Sequence, residues 1–403
     1  MEYVRETLSI SDQRGAKQET SLVRSYMPEL DSARGLAILL VLFYHGLAPP
    51  ANAQTSGFAR LLLQVSQFGW AGVNLFFVLS GFLITGILLE SRTRPDYFRR
   101  FYIRRALRIL PALYATLAVL LVGGWISWRF AILSAFFLAN SAPLLGIPLQ
   151  YGPLWSLAVE EHFYLLWPSA IRNFSDRALA WLAVIVVAVS PAVRLIGFFV
   201  DGRPTEFIGL YTWYNLDGLA LGALLAMWLR RPAHDCNRLS WISVALMAAG
   251  SSGFVLCRER PPLQAALLAT SFNVGFLGLL LGMLLLGTSR WRPLVDRPIL
   301  KFLGFISYGL YLLHVLAFRL AEILLARPLL GMVLAQRTAV AMLVRFCTGA
   351  ALAIGVAYLS RRSLEERFLR IGFGSRMTMG SSDPTVHSNN DVSVKTSSLF
   401  SPQ

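Results

Sequence analysis

A short list of ionisable side chains interrupts what are otherwise long apolar runs: His45, Glu160, Glu161, His162, Asp217, His314 and Glu322. Such groups cost several kcal/mol in hydrocarbon unless paired or solvated, so each is a candidate for function. A neutral imidazole at position 45 suits a general base working near pH 7; the competing role is a histidine hydrogen-bonded between helices. Two carboxylates and a histidine are adjacent in Trp155-Ser156-Leu157-Ala158-Val159-Glu160-Glu161-His162-Phe163-Tyr164. Neighbours on a helix point about 100° apart, so one carboxylate faces the interior while the other does not. Glu160 shares a face with Ser156 and Tyr164 and is the expected inward one; a helix tilted at an interface is the alternative. Ser307, Tyr311 and His314 form one stripe, either a functional face or aromatic packing around a satisfied histidine. Ser80 precedes Gly81, a pair that lets helices approach closely; no base lies near it in sequence to make it a nucleophile.

A second kind of chemistry is written in arginine. Arg104, Arg105 and Arg108 cluster on a helix start, and guanidinium forks bind phosphates bidentately. Anchoring beside anionic lipid headgroups would use the same residues. Arg34, ahead of the run that ends in His45, is either a donor-binding group or a positive-inside anchor.

These residues need helices to hold them. Apolar runs place spans at 34–50, 68–90, 107–126, 153–171, 178–200, 208–229, 239–257, 263–287, 302–326 and 338–360. The expected fold is all-α, a polytopic bundle of about ten transmembrane helices. The apolar piece 131–145 is too short to span and reads as re-entrant or interfacial. Arginines concentrate in the N-terminal arm, the loop after the second span, residues 230–238, residues 290–301 and the flank after residue 360. An even number of spans puts all of these on one side, with both termini cytoplasmic by the positive-inside rule. Counting helical rise from the surfaces puts His45, Glu160, Asp217 and His314 at one level, ~16–20 Å from the inner face. Arg194, Arg319 and Arg345 lie toward the outer ends of their spans, where long side chains snorkel.

Composition agrees. The hydrophobic fraction is 55% and only 15% of residues are charged, with a net charge of +15. A basic balance can signal nucleic acid, but here the cations sit between apolar spans, so no nucleic-acid partner is expected. Cys236, Cys257 and Cys347 fit no disulfide or metal pattern, and no metal is expected. Residues 1–29 read as a cytoplasmic arm, 30–372 as the membrane domain and 373–403 as a disordered tail rich in Ser, Thr, Asn and Gly.

Five motifs in order carry a likeness to a known family. They are Arg34 with ten residues before His45, Phe76-Phe77-Val78-Leu79-Ser80-Gly81-Phe82, Arg105-Ala106-Leu107-Arg108, Ser156 to Tyr164, and Ser307-Tyr308-Gly309-Leu310-Tyr311-Leu312-Leu313-His314. Together they span about residues 28–360 and resemble the integral-membrane acyltransferase 3 family. The resemblance implies ten helices, a cytoplasmic acyl-CoA donor (acetyl-CoA first) with no bound cofactor, and a hydroxyl acceptor that is often an envelope carbohydrate. It implies proton abstraction at His45, donor phosphates at Arg105 and Arg108, and a functional glutamate at Glu160. The location expected is a bacterial inner (cell) membrane. An O-acyltransferase, most simply an O-acetyltransferase, is the leading expectation. A proton-coupled transporter using the same His and Glu layer is the alternative, weakened by the lack of an internal repeat.

Overall fold

The computed structural model describes residues 22–24, 27–47, 57–201, 209–231, 235–325 and 339–368. The expected N-terminal arm lies mostly, and the expected tail entirely, outside them. Among the described residues all regular structure is helical. The α-helices in chain order are α1 (Pro28–Gly46), α2 (Gly57–Ser66), α3 (Gly72–Ser91), α4 (Tyr97–Val122), α5 (Trp128–Ala135), α6 (Leu154–Asn173), α7 (Asp176–Asp201), α8 (Leu216–Trp228), α9 (Cys236–Cys257), α10 (Pro261–Gly287), α11 (Pro298–Phe305), α12 (Ser307–Leu325) and α13 (Ala339–Ser360). Prolines open α1, α10 and α11, where a missing N–H costs nothing. Side-chain caps are few: Ser127 accepts from the Phe130 N–H at 3.3 Å, and Asp235 from the Asn237 N–H at 2.9 Å.

Seven of the helical segments are long and apolar enough to cross a membrane. They are α2 running into α3, then α4, α7, α9, α10, α12 and α13. The remaining expected spans are α1, α6 and α8. The first carries Glu29, Asp31 and Arg34, the second carries Glu160, Glu161 and His162, and the third is only 13 residues long. With them, every expected span has its helix. The short apolar piece before α6 is α5 followed by a 3-10 turn over Ala139–Leu145, and it exposes Phe136, Leu144 and Leu145.

The bundle is built around α3. Its most apolar stretch is 67% buried inside the protein, against 17% for α9, which lies at the outside of the bundle. Helix α3 packs on α1, α8 and α10. With α8 the approach is backbone on backbone: a Cβ on Gly81 would stand 1.9 Å from the Leu219 carbonyl oxygen, and one on Gly222 2.0 Å from that of Val78. Lipid tails offer no hydrophobic force between helices, so small residues that permit this contact hold the pair together.

Polar links at the two ends test the expected topology. At one end Arg24 pairs with buried Glu29 and reaches the Gly287 carbonyl, Arg92 pairs with Asp176 at 2.7 Å, and Arg230 with Glu90 at 2.7 Å. The Arg361 guanidinium caps the Phe305 ring at 4.6 Å. At the other end Thr212 meets His162 at 2.7 Å and accepts from Asn140 at 2.8 Å. Every link joins segments that alternating spans would put on the same side. The first is the arginine end; the second is the opposite end.

Candidate active site

Five elements bring the candidate residues together: α1 supplies Arg34 and His45, α3 Ser80, α4 Arg105 and Arg108, α6 Ser156 and Glu160, and α12 Tyr311 and His314. They arrange around two cavities.

The first, about 170 Å³, opens toward the arginine end and is lined by Arg34, Arg105, Arg108, Ser80, Glu160 and Tyr311 among others. The Ser80 hydroxyl donates to the Glu160 carboxylate at 2.6 Å. The Arg105 guanidinium lies 3.3 Å from the centre of the Tyr164 ring and 3.7 Å from the Glu161 carboxylate. Stacking and ion pairing hold its planar fork against α6. Arg34 donates to Asp31 one turn earlier at 2.9 Å. Arg104 is exposed and is not among the lining residues. Of the two carboxylates, Glu160 lines the cavity, while Glu161 turns to Arg105 with one buried oxygen that has no hydrogen-bond partner among the described residues.

The second cavity, about 580 Å³, lies toward the opposite end. Its wall includes Tyr44, His45, Trp70, Asn74, Trp155 and Arg194. Its rim takes in Pro153 just before α6 and Gln264 near the start of α10. Both helices finish at the arginine end, so the two cavities approach one another from opposite sides.

His45 is exposed to this cavity. Its Nδ1–H donates to the Val41 carbonyl at 3.0 Å. A carbonyl can only accept, so the proton sits on Nδ1 and the Nε2 lone pair is left for chemistry. His314 repeats the arrangement, Nδ1–H to the Tyr311 carbonyl at 2.7 Å. The two rings meet edge to face with centroids 4.7 Å apart. His314 is fully buried, and its Nε2 has no hydrogen-bond partner among the described residues.

Asp217 has a different place. It is fully buried and takes a bidentate contact from Arg194 at 3.0 and 3.3 Å, plus the Thr270 hydroxyl at 2.6 Å. Arg194 also donates to the carbonyls of Tyr214 at 2.6 Å and Ala266 at 3.0 Å. It is 3% exposed, so the snorkelling expected of it is wrong. A buried pair needs this full set of partners to offset desolvation. Arg194 forms cavity wall with Asp217 behind it, and Asp217 is not among the lining residues.

The single level expected for His45, Glu160, Asp217 and His314 resolves into a ladder. Ser156 and Tyr311 share a hydrogen bond. Glu160 is one turn from Ser156 toward the arginine end, and His314 three residues from Tyr311 toward the other. Helical rise therefore separates the carboxylate from the imidazoles by about 10 Å. The sequence reading also missed the Asn74 to Asn273 hydrogen bond at 2.9 Å, although both are polar residues inside apolar spans. Among the described residues no group of three or more His, Cys, Asp or Glu could hold a metal ion.

Comparison with known proteins places this arrangement. The profile of the acyltransferase 3 family, described as "Acyltransferase domain", matches residues 27–362. The chain is 28% identical over 341 residues to the peptidoglycan O-acetyltransferase OatA of Listeria monocytogenes, covering 74% of this chain and 50% of that protein. It is 30% identical over 339 residues to the putative peptidoglycan O-acetyltransferase YrhL of Bacillus subtilis, covering 72% and 48%. It is 31% identical over 257 residues to the O-acetyltransferase OatA of Staphylococcus aureus, covering 57% and 39%. The chain thus spans about half the length, or less, of these curated relatives. No solved structure matches. The family match takes in every residue lining both cavities, and this integral-membrane chain belongs to the acyltransferase 3 family.

Proposed function

We propose that the chain is a membrane O-acyltransferase, in the first instance an O-acetyltransferase. It moves an acyl group from acyl-CoA in the arginine-lined cavity to a hydroxyl of a carbohydrate or other polar acceptor in the second. Arg34, Arg105 and Arg108 meet the donor phosphates, and Glu160 with Ser80 orients the arm that follows. The observation that carries this reading is the division of labour along α1: Arg34 lines one cavity and His45 the other. The eleven-position step from one to the other corresponds to ~16 Å of helix. An extended donor spans that distance, with phosphates at one end and thioester at the other.

His45 Nε2 takes the proton of the acceptor hydroxyl as its oxygen attacks the thioester carbonyl. The C–S bond breaks, the acyl–oxygen ester forms, and the proton passes from the imidazolium to the departing thiolate. The relatives named for O-acetyl transfer to peptidoglycan make an envelope glycan the first acceptor to try. The same reading puts the arginine end and both termini in the cytoplasm of a bacterial cell whose inner membrane holds residues 30–372. The transporter alternative gains no relative from the comparisons.

The direct test is purified protein in liposomes, with acetyl-CoA supplied at one face and a glycan oligosaccharide at the other. The expected result is an acetyl ester on the glycan, detected by mass spectrometry, with stoichiometric free thiol. Neither ester nor thiol, across several acyl donors, would end the reading. Sidedness is tested by single cysteines at Arg99 and Glu259 in cells. The first should react only with reagent in the cytoplasm and the second only with reagent outside.

A further inference from the structure

The two cavities share part of their lining: Val73 and Tyr311 belong to both. Tyr311 is held on three sides. Its hydroxyl hydrogen-bonds Ser156 on α6, its ring lies 5.9 Å from that of Phe76 on α3, and on its own helix it sits 5.8 Å from His314. Phe76 and Ser156 line the first cavity only, and His45, in ring contact with His314, lines the second. Tyr311, with Val73, is therefore the wall that the two spaces have in common.

Such a partition has two physical consequences. Two water-accessible cavities entering from opposite faces of a membrane would join into a conducting path if the ring were absent, because a narrow apolar constriction is what keeps water from bridging them. The ring also narrows the way from the first cavity to the second. A donor that carries its thioester to His45 passes Val73, Phe76 and Tyr311, and a packed constriction yields little to extra methylenes.

We propose that Tyr311 is a septum between the two cavities: with no donor threaded past it the ring seals the membrane against proton leak, and the constriction it forms limits the donor to short acyl chains. The chain-length half rests on the O-acyltransferase reading; the seal does not. Ring bulk does the sealing, and the bond to Ser156 fixes the ring's orientation.

The experiment compares Tyr311→Ala, Tyr311→Leu and Tyr311→Phe with the parent protein in sealed liposomes, after size-exclusion profiles have shown which variants are folded. An internal pH dye follows the decay of an imposed pH step, with potassium and valinomycin to remove the membrane potential. Acetyl-, butyryl- and hexanoyl-CoA are then compared as donors. Tyr311→Ala should leak protons at least tenfold faster than the parent, and Tyr311→Phe should remain tight. Tyr311→Ala should also raise turnover of the hexanoyl donor relative to acetyl by at least tenfold, with Tyr311→Leu in between. If Tyr311→Ala does not fold, Tyr311→Leu carries both measurements. A folded small-side-chain variant as tight as the parent overturns the septum. One that leaks but keeps the parent's chain-length profile overturns the length limit. Absence of transfer from every donor in the parent would sink the enzymatic reading alone, because the leak measurement still decides the septum.

Discussion

The two cavities differ in what they ask of a ligand. The smaller collects three arginines, three serines and a carboxylate, and its cations stand near one end of the bundle. The larger contains aromatic faces, amides and His45, and its single arginine is already committed to Asp217 and two carbonyls. One is built to attract charge from an aqueous face, the other to surround a largely neutral, hydrogen-bonding body. In the proposed function chemistry falls at the end of the larger chamber nearest the charged one, so that such a site would recruit by charge without carrying that charge to the reacting atoms.

The sharpest attempt to break this contrast is His45→Ala. General-base catalysis contributes about 10²–10⁴-fold. Turnover should fall by that order while the variant inserts and purifies like the parent, and a kcat measurement on folded protein decides it. Wild-type turnover would strip the larger cavity of its chemical role. Next comes Asp217→Ala, which leaves Arg194 buried without its carboxylate. Removing one member of a buried pair costs roughly 3–5 kcal/mol, so thermal unfolding in detergent should shift down sharply. KM for the donor should hold in the protein that remains folded, since neither residue lines the smaller cavity.

A smaller effect is expected from Arg105→Ala or Arg108→Ala. Losing one charge-assisted contact is worth about 1.5–3 kcal/mol, roughly ten- to a hundredfold in donor affinity. The loss should shrink for a donor lacking the 3′-phosphate. Equal losses for both donors, measured by calorimetry, would assign these arginines to lipid instead. Smallest is Ser80→Ala, which removes the hydroxyl from Glu160. About 1 kcal/mol, or roughly fivefold in kcat/KM for the donor, is the expected size. The acceptor's KM should stay put; a shift there would mean that Glu160 serves the other cavity.

Most of the fold was legible because a bilayer imposes long apolar runs, and a run is readable without knowing its neighbours. Even α1 and α6 were found, because their charges are few beside their apolar flanks. What stayed hidden was register between helices. Arg194 was expected to snorkel because its own helix places it near an end; its carboxylate partner comes from α8, across a contact that sequence spacing does not encode. The ladder was read as a layer for the same reason: rise along one helix is calculable, but the offset between Ser156 on α6 and Tyr311 on α12 is set by packing. Glu161 was left without a role since Arg105, its partner, was read as meeting donor phosphates or lipid headgroups and not as pairing with α6.

The glycine contact between α3 and α8 also governs the order in which the protein can be made. Ser80 is held by a helix whose wall is built from residues 219 and 222, more than a hundred positions later in the chain. A nascent polypeptide that has inserted its first helices owns the serine and the glutamate but lacks the surface that sets α3 in place. The packing that sets α3 in place is consequently a late event in biogenesis. Until α8 has left the translocon and docked, the insertion intermediate holds Ser80 and Glu160 without the geometry that the proposed transfer requires.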